Sequence, residues 1–358
     1  MKLIFIAGGG TAGHINPGIS VAQAIHKQNS NINVEFVGTK LGMEGTLVPE
    51  KGFGIRFISS AKMNHSGVLS KIFGLFYLAM GFFQSLAMIR KHKPDYVLGV
   101  GGYASVPMVL ASALTGTPTA IWEPNAYPGL ANVFLSYFVR TVFLVFESAK
   151  RKLKSQKFFV YGMPIRKELE DAQYIFNPQQ KLKVLHYGGS QGARSIGRAL
   201  CDLLKTKQSW LSQCEFVHQT GKVDFEKFKS EYDQAQVRVE VYPYIQDMVK
   251  FYQWADVVIA RAGASTIAEL AKAGKPSILI PLQIADGHQI ENAKSLAHKQ
   301  SAIMILQKDL SPQSLGDALK QMLENQNIRR ELHDNIQKFY APNAADKIAN
   351  EILSARPS

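Results

Sequence analysis

Leu3-Ile4-Phe5-Ile6-Ala7-Gly8-Gly9-Gly10-Thr11-Ala12-Gly13-His14 opens with a short apolar run that enters a glycine cluster. A continuous apolar run of this length, stopped by glycine, reads as a strand buried on both faces of a parallel sheet, and not as a signal peptide. The glycines that follow let the backbone turn tightly and approach a ligand closely where a helix begins.

Outward from this stretch the same unit recurs. Leu3 to Ala7, Asn33 to Gly38, Asp95 to Val100, Thr119 to Trp122, Thr141 to Phe146 and Phe158 to Tyr161 read as one series of strands separated by helical patterns. A second series comprises Lys183 to Tyr187, Glu215 to Gln219, Val237 to Val241, Val257 to Ala260 and Ser277 to Ile280. Strands alternating with helices predict an α/β fold of two Rossmann-like doubly wound domains facing a cleft. The 358 residues suit two domains of ordinary size. Composition changes at Tyr161-Gly162-Met163-Pro164, which places the domains at 1–162 and 163–340. Asn343 to Leu353 carries an amphipathic helical pattern that the sequence assigns to neither.

With 46% hydrophobic and 19% charged residues the chain is too apolar to be disordered. The formal charge of +13 is unevenly spread: residues 1–162 hold 16 Lys and Arg against 6 Asp and Glu, and residues 163–358 hold 25 against 22. The first half therefore attracts an anionic partner. Cys201 and Cys214 are the only cysteines, which suits a reducing compartment and offers no metal-ligand spacing. Ile72 to Ile89 is an uncharged stretch flanked by Lys71 and by Arg90-Lys91-His92-Lys93. A membrane crossing there would separate the strand after Pro94 from Leu3 to Ala7, splitting one sheet. The expectation is instead a helix whose Phe and Leu side chains dip into a membrane interface beside cationic anchors.

The first glycine turn contains G-x-G-x-x-G, but a dinucleotide site also needs an acidic residue ending the second strand. That strand ends in Gly38-Thr39, with Glu35 inside it, which counts against a dehydrogenase. His14 in this turn has the side chain of a general base. A second turn, Gly188-Gly189-Ser190-Gln191-Gly192-Ala193-Arg194, lacks Gly-Lys-Ser/Thr and reads as a phosphate cradle at a helix start, not a hydrolytic P-loop. Arg261-Ala262-Gly263-Ala264-Ser265-Thr266-Ile267-Ala268-Glu269 begins a further helix. There Thr266 and Glu269 fit a capping box, and Glu269 also suits a ribose diol. Asp286-Gly287-His288-Gln289 offers polar groups suited to sugar hydroxyls.

These motifs, with Gly101-Gly102-Tyr103-Ala104-Ser105 and Glu123-Pro124-Asn125, stand in the order and spacing of the MurG family, which the chain resembles along essentially its whole length. The resemblance implies two Rossmann-like domains in the glycosyltransferase B arrangement, with the helix after about Tyr340 returning to the N-terminal domain. It implies inverting transfer of GlcNAc from UDP-GlcNAc to lipid I, undecaprenyl-diphospho-MurNAc-pentapeptide, forming lipid II for peptidoglycan at the cytoplasmic face of the plasma membrane. By motif, His14 is the base, in a loop with Thr11, Ala12 and Gly13. Tyr103 and Ser105 belong to a second acceptor-side loop. Arg166 and Ile245 lie near uracil, Glu269 at the ribose and Ser190 at the diphosphate. Ala264, Ser265, Thr266, Ile267 and Ala268 line the donor pocket, and Gln289 and Asn125 reach GlcNAc. No cofactor, metal or nucleic acid is implied, and an anionic lipid surface and cell-wall and division proteins are. Ala12 stands where the family usually has Gly, and Pro124 where Gln is usual, removing an amide and an N–H. Two other readings are a UDP-GlcNAc 2-epimerase of the same architecture and a silent membrane scaffold that binds a nucleotide sugar.

Overall fold

The computed structural model describes residues 2–40, 42–60, 68–176, 181–188, 192–283 and 287–355. Two compact units divide the chain, Met1–Arg166 with Ala341–Ser358, and Lys167–Tyr340.

The first unit runs β1 (Leu3–Gly8), α1 (Ala12–Gln28), β2 (Asn33–Gly38), α2 (Glu44–Glu50), β3 (Gly54–Phe57), α3 (Val68–His92), β4 (Tyr96–Gly101), α4 (Ser105–Leu114), β5 (Thr119–Glu123), α5 (Leu130–Leu135), β6 (Thr141–Leu144) and β7 (Lys157–Val160). Its strands lie in the order β3-β2-β1-β4-β5-β6-β7, all parallel. Ile4, Phe5, Ile6 and Ala7 are wholly buried because helices cover both faces.

The second unit runs α6 (Lys167–Asp171), β8 (Leu182–Tyr187), α7 (Arg194–Lys205), β9 (Cys214–Gln219), α8 (Phe225–Gln234), β10 (Glu240–Tyr242), α9 (Met248–Trp254), β11 (Val257–Ala260), α10 (Ala264–Ala273), β12 (Ser277–Leu279), α11 (His288–Ala297), β13 (Ile303–Met304), α12 (Pro312–Glu324) and α13 (Gln326–Gln337). Its sheet has the order β10-β9-β8-β11-β12-β13, again parallel. Both orders reverse direction beside the first strand of the unit, and that reversal creates the crevice in which doubly wound sheets bind ligands.

The last helix, α14 (Ala344–Ser354), packs on α1 of the first unit. Gly162 takes φ +84°, and a Cβ there would meet Ala341 Cβ at 2.6 Å, so the chain passes close by on its return. The Tyr161 hydroxyl donates to Glu351 at 2.9 Å.

Three elements depart from the sequence expectation. β3 and β13 are edge strands too short and mixed in composition to show a pattern. The strand expected over Val237 to Val241 begins only at Glu240, because Gln236 turns to φ +54° and the Val237 amide closes the end of α8 on Tyr232 O at 3.0 Å.

Among the described residues, the one helix long and apolar enough to cross a membrane is within α3 (Phe73–His92). One face packs on α4: Gly74, Gly81, Ser85 and Ile89 are buried. A side chain at Gly81 would collide with the Ser59 carbonyl, and Gln84 accepts the Ser59 amide at 2.6 Å. The opposite face leaves Phe73, Leu75, Phe76 and Phe83 between 62 and 67% exposed.

Two buried histidines lie at the heart of the second unit. His186 donates from Nδ1 to Ile259 O at 3.0 Å, and its ring lies 4.7 Å from that of His218, which pairs with the Tyr232 hydroxyl at 2.9 Å. Burial lowers the His186 pKa to about 4 and that of His218 well below its usual value. Each pKa is lower folded than unfolded, so between pH 6.5 and about 4 the unfolded chain binds more protons. Stability is thus expected to fall as pH drops through that window. Urea unfolding across it, with His186→Gln flattening the slope, checks the assignment.

Candidate active site

In the first unit the reversal point lies between β1 and β4, and main chain packs directly on main chain there. The Gly9 amide donates to Gly101 O at 3.2 Å. A Cβ on Gly8 would lie 2.5 Å from that oxygen, and one on Gly102 would collide with the Gly9 carbonyl. Gly10, Gly101 and Gly102 take φ of +88°, +95° and +81°, the left-handed region that favours glycine.

Thr11 is extended and caps α1 without a side-chain bond, and the first turn of the helix contains no acidic residue. The helix therefore presents the positive end of its dipole at the loop. His14, in this first turn, is half-buried. A Cβ on Gly101 would stand 2.8 Å from its Nδ1, so the ring rests on the facing glycine turn. Tyr103 is exposed and accepts the Ser60 hydroxyl on its carbonyl at 2.8 Å. Ser105 is buried, and a Cβ on Gly99 would lie 2.6 Å from its Oγ, which has no hydrogen-bond partner among the described residues.

Two buried carboxylates shape these loops. Glu44 accepts the Gly10 amide at 2.8 Å, the Thr39 amide at 2.8 Å and the Thr39 hydroxyl at 2.9 Å. Glu123 accepts the Asn125 amide and side chain at 2.9 and 3.2 Å, the Gly129 amide at 3.1 Å and Asn132 at 2.8 Å. The turn that carries Asn125 is therefore built on Glu123, and Pro124, which has no N–H to offer, sits in the bridge between them.

In the second unit a glycine turn follows β8, beside the reversal between β8 and β11, and packs against the end of β9. A Cβ on Gly188 would overlap the Ala193 amide, and one on Gly192, at φ +74°, would overlap Thr220 O. Gly189, Ser190 and Gln191 lie outside the described residues, as does Asp286. α7 starts directly after this turn. Arg261 ties the turn's helix to the next loop, donating to Ser195 Oγ at 2.9 Å, Gln307 at 2.6 Å and Ile280 O at 3.0 Å.

The capping box expected at Thr266 and Glu269 is not formed. α10 begins at Ala264, so Gly263 occupies the cap position with no side-chain bond, and Thr266 lies inside the first turn. Glu269 is engaged elsewhere: Tyr252 donates to Oε2 at 2.9 Å, and the two hydroxyls of Tyr187 and Tyr252 are 2.6 Å apart. Burial above all, with Tyr187 and Glu269 adding to it, raises the Tyr252 pKa well above the usual value, so the phenol stays a donor. A chain of two hydroxyls thus links the end of β8, beside the glycine turn, to the Glu269 carboxylate.

Ala264, Ile267 and Ala268 are buried, and Ser265 and Thr266 are half-buried. Ile245 is buried, and its amide donates to Gln219 at 2.9 Å. Gln289, in the first turn of α11, accepts the Leu282 amide at 3.0 Å. Arg166 is half-buried and is the last residue of the first unit before α6.

Glu44 and Tyr252 had no role in the sequence reading. Glu44 could have been found as a lone acidic residue among Gly38, Gly42 and Gly45. Tyr252 has no local signal, since its partners come from β8 and α10.

Residues 4–144 match the model of the glycosyltransferase family 28 N-terminal domain and residues 184–348 that of the glycosyltransferase family 28 C-terminal domain. A protein of Bdellovibrio bacteriovorus named UDP-N-acetylglucosamine–N-acetylmuramyl-(pentapeptide) pyrophosphoryl-undecaprenol N-acetylglucosamine transferase is 44% identical over 98% of this chain and 99% of its own. The crystal structure of Acinetobacter baumannii MurG superposes with a TM-score of 0.82 at 28% identity, covering 99% of this chain and 100% of that one. A UDP-GlcNAc 2-epimerase from Neisseria meningitidis, at 16% identity and a TM-score of 0.66 over 99% of both chains, shares the fold alone.

The glycine contact between the first unit's two loops can be tested without any ligand. Gly102→Ala forces a side chain into the left-handed region and against the Gly9 carbonyl, at an expected cost of about 1–3 kcal/mol or more. Urea denaturation should show that loss, whereas alanine at Gly116, which also has positive φ but open space around it, should lose only the backbone part.

Proposed function

The chain belongs to glycosyltransferase family 28, and on that premise we propose that it transfers GlcNAc from UDP-GlcNAc to the muramyl sugar of lipid I, with inversion, yielding lipid II and UDP. One observation carries this reading: both sheets place a glycine turn at their reversal point, in a chain 44% identical over 98% of its length to a protein bearing that transferase's name.

The reaction is a single displacement. The muramyl hydroxyl attacks C1 of GlcNAc as His14 takes its proton, and UDP leaves with its diphosphate at the start of α7. Thr11, Ala12 and Gly13 bring main chain to the acceptor, and Tyr103 is the exposed side chain of the facing turn. Ser105, enclosed against Gly99, shapes that turn. On the donor side, Glu269 accepts from the ribose hydroxyls while Tyr252 fixes its second oxygen. Ser190 and its glycines hold the diphosphate, Ala264 to Ala268 wall the pocket, and Gln289 and Asn125 meet the GlcNAc. The uracil is read by Arg166 and by the main chain at Ile245.

The acceptor's polyprenyl chain requires a membrane, and we assign the first unit to its cytoplasmic surface. The exposed Phe73, Leu75, Phe76 and Phe83 of α3 supply apolar contact, with exposed Arg90, Lys91 and Lys93 at its far end and a net +10 over residues 1–162. Partners in division and wall synthesis would meet the enzyme at that surface.

Labelled GlcNAc should pass from UDP-GlcNAc to a lipid I analogue with release of UDP. Epimerisation of the donor without acceptor would instead reveal the 2-epimerase. His14→Ala should lower kcat by on the order of 10² to 10⁴ with UDP affinity nearly kept; unchanged turnover removes His14 from the base role. Glu269→Gln should weaken donor binding, and wild-type UDP affinity in that variant removes the ribose contact.

The membrane assignment has its own measurement. Flotation with vesicles containing anionic lipid should recover the full chain, less of it at high salt, and less for Phe76→Ser/Phe83→Ser. Equal recovery with neutral vesicles would refute the electrostatic part.

A further inference from the structure

We infer that Glu44 is a positioning residue for this reaction: its buried carboxylate holds the glycine turn that presents His14. The inference rests on the transferase reading for what the turn does, and on geometry alone for how the turn is held.

Glu44 is the first residue of α2 and is 1% exposed. A charged group buried to this degree is tolerated only where donors replace its water. Here one oxygen takes both donors of Thr39, at the end of β2, and the other takes the Gly10 amide. The carboxylate therefore bridges two loops at the carboxyl end of the sheet, β1 to α1 and β2 to α2. No Lys or Arg forms an ion pair with it among the described residues.

The glycines around it have no other evident reason to be glycine. A Cβ on Gly9, Gly38 or Gly42 would overlap the Glu44 side chain, so three positions in the two loops leave out a side chain to admit this one. Gly10 takes φ +88°, and a Cβ there would meet nothing, so it is the backbone conformation and not crowding that asks for glycine; beyond the Gly9 contact with Gly101, the bond to Glu44 fixes where the Gly10 amide goes. Four residues later the same turn delivers His14. A base displaced by about 1 Å loses on the order of 10²-fold in rate, so the anchor has leverage on the chemistry without touching substrate.

Glu44→Gln keeps the volume but puts an NH₂ opposite one of the N–H donors, so one side of the bridge must open. In the full-length protein, kcat for GlcNAc transfer to the lipid I analogue should fall on the order of 10- to 10²-fold. The KM for UDP-GlcNAc and the affinity for UDP, bound on the other unit, should stay within about twofold. Combined with His14→Ala it should add almost nothing, because both act on one device. Full additivity, a parallel loss of UDP affinity, or a wild-type rate would overturn the inference.

If Glu44→Gln does not fold, Thr39→Val removes one donor while leaving the carboxylate satisfied by two. The same pattern is expected at smaller size, and a wild-type rate there counts against it. A wild-type chain that transfers no GlcNAc sinks the transferase reading and not the anchor. NMR of the His14 ring then decides. Resonances shifted in Glu44→Gln and unshifted in Glu50→Gln, an exposed position on the same helix, support positioning, and unshifted resonances in both refute it.

Discussion

The glycine loops of the first unit depend on backbone touching backbone at the reversal point of a parallel sheet. Where β1 and β4 end side by side, Gly9 and Gly101 share a hydrogen bond, and neither Gly8 nor Gly102 has room for a Cβ. That contact sets the spacing of the two turns, and the spacing leaves His14 lying against Gly101. In the second unit the turn after β8 is crowded differently, within itself between Gly188 and Ala193 and against the end of β9 between Gly192 and Thr220. Rigid strands thereby deliver glycine-rich loops to fixed places, which catalysis needs more than the loops' own propensities could give.

Three carboxylates complete what the glycines begin. Glu44 and Glu123 are each 1% exposed and each satisfied by main-chain amides and neutral side chains, and Glu269 is oriented by Tyr252. Each hydrogen bond to a charge contributes roughly 1.5–3 kcal/mol, but a buried carboxylate stripped of its donors costs several. The asymmetry matters more than the sum: a loop that drifts from its carboxylate strands a charge, so the loop has one low-energy position. Positioning is enforced by the cost of the alternatives, not by the strength of any one bond.

The fold was legible because most strands are buried on both faces and so appear as uninterrupted apolar runs ending in glycine. Leu3 to Ala7 and Val257 to Ala260 are plain in the sequence, while the edge strands at Gly54 and Ile303, half exposed, carry no such run. The glycine turns and His14 were legible for a related reason: a tight turn at a strand's end needs a rare residue. What held the turns was not. Glu44 acts across 34 residues on Gly10, and Tyr252 across 17 on Glu269, and periodicity is blind to such separations. The capping box at Thr266 failed because two local rules competed. Thr266 and Glu269 have the right spacing, but Gly263 starts the helix earlier, so the Thr266 amide is not at the cap, and Glu269 takes the hydroxyl of the buried Tyr252 as its donor.

The asymmetry of charge and the exposed face of α3 gain meaning together on the membrane reading. A Phe side chain moved from water into the interface gains at most roughly 1.5–3 kcal/mol, and each basic residue near an anionic surface about 1 kcal/mol. A few of either, less the translational freedom lost on binding, hold a protein weakly. On that reading, both on one unit would give attachment firm enough to meet a lipid-linked acceptor, yet reversible. The nearly neutral second half, with 25 basic against 22 acidic residues, suits the soluble nucleotide sugar that the proposed function gives it. An acceptor confined to two dimensions and a donor free in three would call for this division. On the proposed function one unit would follow the membrane's chemistry and the other the nucleotide's, and each carries its own glycine turn to the end of its own sheet.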